Sequence, residues 1–146
     1  MATQTANEKY EYDKVFFGKS LDEWVQDAHK ENCKKNKWYY NALKKGAYGY
    51  DNLCMCLGNV LTGLENENIV LRDTENLSEE IHNGWVENYN YWKENKPWIY
   101  GIYSKPSKPI GDKRRDECAR TAFQDLPDDE KEKDIIFVQF LQNVLE

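Results

Sequence analysis

Apolar side chains recur along this chain at helical spacing, in stretches set apart by polar, glycine-bearing or proline-bearing segments. The first stretch opens at Ser20-Leu21-Asp22-Glu23, where Ser20 suits an N-cap and Glu23 sits at the capping-box position. Leu21, Trp24, Val25, Ala28 and Asn32 continue one face, so a helix is predicted to run to about Lys37. Trp38-Tyr39-Tyr40, followed by Gly46, Gly49 and Asp51, reads as an aromatic loop with tight turns. Leu53, Leu57, Val60, Leu61 and Leu64 then form a second helical stripe. Gly58 and Gly63 each weaken this helix by about 1 kcal/mol relative to alanine, so tertiary packing must hold it.

The two helices are expected to pair as an antiparallel hairpin within a region spanning 15–72, preceded by a loose arm over 1–14. Glu65 to Asn76 is polar and marks the candidate boundary with a second unit over 73–146. That unit opens with a helix starting near Ser78, with Ile81, Trp85, Tyr89 and Trp92 on one face, and Pro97 ends it. Trp98 to Gly111, with three prolines from Pro97 to Pro109, suits short extended pieces and turns. Lys113 to Ala122 fits either a helical turn or an extended basic piece. A last helix begins at Pro127, with Asp128, Asp129 and Glu130 at the positive end of its dipole and Ile136, Phe137, Phe140, Leu141 and Val144 as its buried face. The expected fold class is mainly α (α+β): an N-terminal helical hairpin followed by a unit of helices with short strands.

Composition changes this picture in one respect. Five Trp, ten Tyr and five Phe stand in for a modest aliphatic content, so the core is expected to be aromatic. A net charge of -6 argues against general affinity for duplex nucleic acid or anionic lipid, since both require a cationic surface. No apolar run approaches the roughly 18 residues of a membrane span, and the N-terminal segment lacks a signal peptide's hydrophobic stretch. The chain is therefore expected in the cytoplasm where it is made. Cys33, Cys54, Cys56 and Cys118 show neither paired metal-ligand spacing nor a small disulfide framework, so they read as reduced thiols, and no metal or cofactor is expected.

The chemistry-bearing residues gather in the second unit. Trp85, Trp98, Tyr100 and Tyr103 can form either the core of a small domain or a slot in which a planar ring stacks. Lys105, Lys108, Lys113, Arg114, Arg115 and Arg120 make the one strongly basic segment of an acidic chain. Guanidinium groups beside aromatic rings suit an anion-bearing ring compound. His82 fits a hydrogen-bonding residue near the helix start, and no nucleophile–base pair or phosphate loop is evident.

The stretches LSEEIHNGWVENYNYWKENKPWIYGIY and KRRDECARTAFQDLPDDEKEKDIIFVQFLQNVL resemble a ryanodine-receptor repeat (RyR) domain over nearly all of 77–146. Ile81, His82 and Trp85 fall on the family's I-H-x-x-W motif, and Trp98, Tyr100 and Gly101 fall on its G-W-x-Y-G turn. Lys113, Arg114 and Cys118 fall on the basic segment; Leu126, Pro127, Glu130 and Lys131 open the last helix. Asp116-Glu117 stands where the family has His-Pro. More weakly, AHKENCKKNKWYY and LCMCLGNVLTGLEN look like the first helices of MazG-like nucleotide pyrophosphohydrolases, with Asn59 and Thr62 in place of metal-binding acids.

The resemblance implies a soluble, non-catalytic binder of a nucleotide-like small molecule, at a site drawn from His82, Trp85, Trp98, Tyr100, Tyr103, Lys113, Arg114 and Arg115. A free-standing copy implies capture rather than sensing, in its sharpest form a phage protein sequestering a host defence signal in the host cytoplasm. Because related repeats occur in tandem, a homo-oligomer is expected to supply the missing neighbour. The competing readings are a protein-interaction module and a MazG-like enzyme. The next candidate place for a ligand is the aromatic loop at Trp38 and Tyr39, or a subunit boundary.

Overall fold

A computed structural model describes residues 9–95 and 113–146. Within them the chain is mainly helical, with one small antiparallel sheet. The order is β1 (Val15–Phe16), β2 (Lys19–Ser20), α1 (Leu21–Asn36), α2 (Tyr48–Glu65), α3 (Thr74–Asn95), α4 (Lys113–Ala119), a 3-10 turn (Phe123–Asp125) and α5 (Asp128–Leu145). The strands lie before α1, outside the unit where short extended pieces were expected; Trp98 to Gly111 falls outside the described residues. Phe17 and Gly18 both have positive φ, 51° and 78°, the geometry that lets a two-residue turn follow the twist of its strands.

Each helix end has a local cause. Ser20 and Glu23 form the expected capping box at α1. The helix stops where Lys37 turns left-handed and the Trp38 N–H donates to the Cys33 carbonyl at 2.9 Å, a Schellman closure that aims the chain away at Trp38. The second helix begins five residues earlier than the apolar stripe, so Gly49 and Asp51 are helical rather than part of a loop, and Gly46, with φ of 91°, makes the turn before it. Its third neighbour, α3, starts at Thr74 instead of Ser78, because the Asp73 carboxylate accepts the Asn76 N–H at 3.1 Å and caps it. The basic segment resolves as helix α4.

One hydrophobic core runs through the described elements, continuous across the polar 66–73 connection. Phe16, Leu21, Trp24 and Val25 meet Leu53, Leu57 and Leu61 of α2, Leu77 and Ile81 of α3, and Val138, Phe140 and Leu141 of α5. The inward face of α5 is rotated from the expected one: Asp134 and Val138 are buried, Ile136 and Phe137 are half-buried and Val144 is exposed. A smaller aromatic cluster of Tyr48, Tyr89 and Trp92 closes the other side of the α2–α3 pair, with the Trp92 indole donating to Asp51 at 3.1 Å. Asp116 fastens α4 to α3 by accepting from both Tyr89 and Lys93 at 2.7 Å. Those two donors, Lys93 first, hold its carboxyl below the usual range.

The arm is not loose where it is described. Tyr10 and Tyr12 pack on the core, and the Tyr10 hydroxyl donates to Asn59 at 2.6 Å, which in turn donates to Glu87 at 2.9 Å. The Tyr10 ring lies against Gly58, so close that a Cβ there would come within 2.7 Å of its Cε2 and Cγ atoms. Gly58→Ala is therefore expected to displace the arm. The clash is with a side chain that can swing aside, and alanine's helix preference of about 1 kcal/mol opposes it. A net loss of only about 1 kcal/mol in urea unfolding is expected, together with faster tryptic cleavage after Lys14. Unchanged cleavage would show that the arm does not depend on this slot.

Candidate functional site

Around Trp85 the ends of several elements leave a cleft. One cavity of about 410 Å³ lies between the α1 end, the first turns of α2 and the α5 face; another of about 370 Å³ adjoins α4. Both are lined by Trp38, Trp85 and Lys133, and a small recess of about 60 Å³ below them is lined by His82, Cys118 and Asp134. These volumes suit a small molecule.

Trp85 is half-buried at the centre, and its ring is engaged with neighbours on its own helix. Its ring is stacked near-parallel with His82, at 6.0 Å and 11°, and with Tyr89, at 5.0 Å and 8°. Those partners lie one turn before and one turn after it on α3, which makes Trp85 the middle ring of a row along the helix. The exposed ring is Trp38, 57% accessible beyond the left-handed end of α1.

The basic residues divide. Arg114 and Arg115 line the cavity beside α4. Arg114 is engaged with the start of α5, its Nη2 on Asp129 at 2.7 Å and its Nε on Glu130 at 2.6 Å. Being exposed, these ion pairs add little stability, but they orient the guanidinium. Lys133 reaches Glu130 at 2.9 Å. Burial works against ionisation of Glu130, yet the hydrogen bonds from Lys133 and Arg114 outweigh it and leave the carboxyl below its usual range. Lys113 is exposed at the start of α4 and lines none of the three cavities. Trp98, Tyr100 and Tyr103 fall outside the described residues, as do Lys105 and Lys108.

His82 is buried at the floor. Its Nε2 lies 2.7 Å from the Thr121 carbonyl, which can only accept, so Nε2 carries the proton and Nδ1 faces Asp134 at 4.0 Å. Burial first, and the neighbouring Glu130 second, push the Asp134 carboxyl up to about 7. Asp134 was not among the expected site residues. Its signal was its register: it falls one and two turns before Val138 and Leu141, inside the buried stripe of α5 rather than on its polar side.

Asn59 is buried and bonded to Tyr10 and Glu87. Among the described residues no three His, Cys, Asp or Glu side chains are grouped to hold a metal ion, and no helix is long and apolar enough to cross a membrane. Compared with protein-family models, curated proteins and solved structures, the chain finds no match.

Proposed function

We propose that this chain is a non-catalytic protein that captures a nucleotide-derived small molecule in the cleft around Trp85. The observation that carries the reading is the convergence of two adjoining cavities on one exposed indole, Trp38, with Arg114, Arg115 and Lys133 along one end. A ring stacked on Trp38 gains roughly 1 to 3 kcal/mol, and cations at the adjoining end suit its anionic substituent. The likeness of 77–146 to an RyR domain supports the same ligand class. Capture of a host signal by a phage protein is its sharpest form. The Asn59 bonds to Tyr10 and Glu87 favour binding over magnesium-dependent hydrolysis, because that position offers an amide already engaged in packing.

The test is a thermal-shift screen of nucleotides and nucleotide signals, followed by calorimetry on Trp38→Ala. Binding should weaken about tenfold or more in the variant with its melting temperature unchanged, as expected for an exposed ring. No shift from any nucleotide, or release of pyrophosphate from one, would refute the reading.

A further inference from the structure

We propose that Asp134 reads the hydrogen-bonding edge of the ligand's ring, and that the ring is of guanine type, presenting two adjacent N–H donors. This rests on the cleft being a nucleotide site, as proposed above. The starting point is a largely buried carboxyl that accepts no hydrogen bond from the described residues. Asp134 is 9% accessible, and its one ion-pair contact among the described residues is His82 Nδ1 at 4.0 Å, beyond hydrogen-bond range. The cations nearby are engaged elsewhere: Lys133 reaches Glu130, and Arg114 bonds Asp129 and Glu130. The carboxyl keeps a small exposure at the wall of a cavity, so it is suited to a donor that arrives with a ligand.

The carboxyl lines both the 410 Å³ cavity and the recess under it, on the same cavity wall system as the exposed Trp38 ring. An ionised carboxylate is acceptor-only, with two coplanar oxygens. The matching partner is a planar edge with two neighbouring N–H groups, which guanine has at N1 and N2. Adenine presents an acceptor beside a donor there, and its N1 lone pair opposes a carboxylate oxygen. Asn52 lines the same cavity, and its side-chain NH2 can donate to the carbonyl that guanine carries next to N1. The phosphate end then lies in the adjoining cavity, which Arg114, Arg115 and Lys133 line together with Glu130, so an anion there must draw Arg114 and Lys133 from their carboxylate partners.

Calorimetry at pH 8 with guanosine, inosine and adenosine 5′-monophosphates, on the parent and on Asp134→Asn, tests this. The parent should bind the guanosine compound about 100-fold tighter than the adenosine one, the scale of two hydrogen bonds to a charged group, with inosine between them because it keeps only the N1 donor. Asp134→Asn should weaken the guanosine compound and leave the adenosine one within about threefold of the parent, so the preference collapses. Circular dichroism verifies that the variant is folded. If the parent binds all three alike, or if the variant keeps the guanosine preference, the assignment of Asp134 is overturned while the cleft stands. If no nucleotide binds the parent, the nucleotide site itself is refuted.

Discussion

Replacing Gly84 with alanine is expected to lower the free energy of unfolding by roughly 2 to 3 kcal/mol, even though the position is helical. In an open helix the same change would stabilise by about 1 kcal/mol. Here α3 crosses α2 at its closest, in the most extensive helix–helix contact among the described elements. A Cβ on Gly84 would lie 2.6 Å from the Cys56 Cα, 2.8 Å from its nitrogen and 2.9 Å from the Met55 carbonyl carbon. These are backbone atoms of a neighbouring helix, and they cannot rotate away as the Tyr10 ring at Gly58 can. Relief requires the two helices to separate, which loosens the burial of Leu57, Ile81 and Trp92 together. Urea unfolding measures the difference; a variant as stable as the parent would mean that the helices do not pack this closely. Valine at the same position should be worse, since it adds bulk and loses the propensity gain.

The sequence exposed those parts of the fold that have a local signal. Ser20 and Glu23 announce the start of α1, and the acidic turn after Pro127 announces α5. The end of α1 is subtler, because a lysine rather than a glycine takes the left-handed position at Lys37. At α2 the pattern misled: Gly49 and Asp51 look like loop residues, and Ala47 offers no capping side chain. Tertiary partners explain why they are helical, since Asp51 sits in the favourable first turn and accepts the Trp92 indole. The face of α5 was misassigned for a related reason. Counting apolar residues selects Ile136 and Val144, whereas the buried line passes through a carboxyl at Asp134.

For the candidate site, sequence pattern suggests residues more readily than it suggests their contacts. His82, Trp85, Arg114 and Arg115 do meet around one cleft. What spacing along α3 could not reveal is that the His82 and Tyr89 rings would both lie near-parallel to Trp85, though all three lie at helical-neighbour positions. Nor does sequence alone show that Arg114 would turn its fork to the carboxylates of α5. Trp38 and Asp134 enter the site only through tertiary packing, one from beyond a helix end and the other from a helix whose apolar neighbours concealed it.

Asp134 also sets the second large effect, a pH-dependent strain that the amide variant should remove. With a pKa of about 7 in the folded chain against 3.8 as its ordinary value, the carboxyl holds its proton more tightly when folded. Between pH about 4 and about 7 the unfolded chain is then the more ionised, so stability falls as pH rises; below that window the penalty is absent, and above it the penalty is complete. The full difference corresponds to about 4 kcal/mol. Lys133 and the carboxyl's partial exposure to the cleft relax the ionised form, so about 2 kcal/mol is the effect to expect. Asp134→Asn should therefore lie closest to the parent near pH 4.5, where the penalty has only begun, and gain on it as pH rises to 8, with Cys56, Cys118 and Glu130 present in both proteins and their own titrations largely cancelling. Urea unfolding across pH 4.5 to 8.5 reads the difference. A gap that does not grow with pH, or a variant less stable at pH 8, would show that the carboxyl is not strained by burial. The gap also has a functional reading, because a ligand whose N–H groups satisfy the ionised carboxyl should close it, raising the parent's stability at pH 8 and leaving Asp134→Asn nearly unmoved.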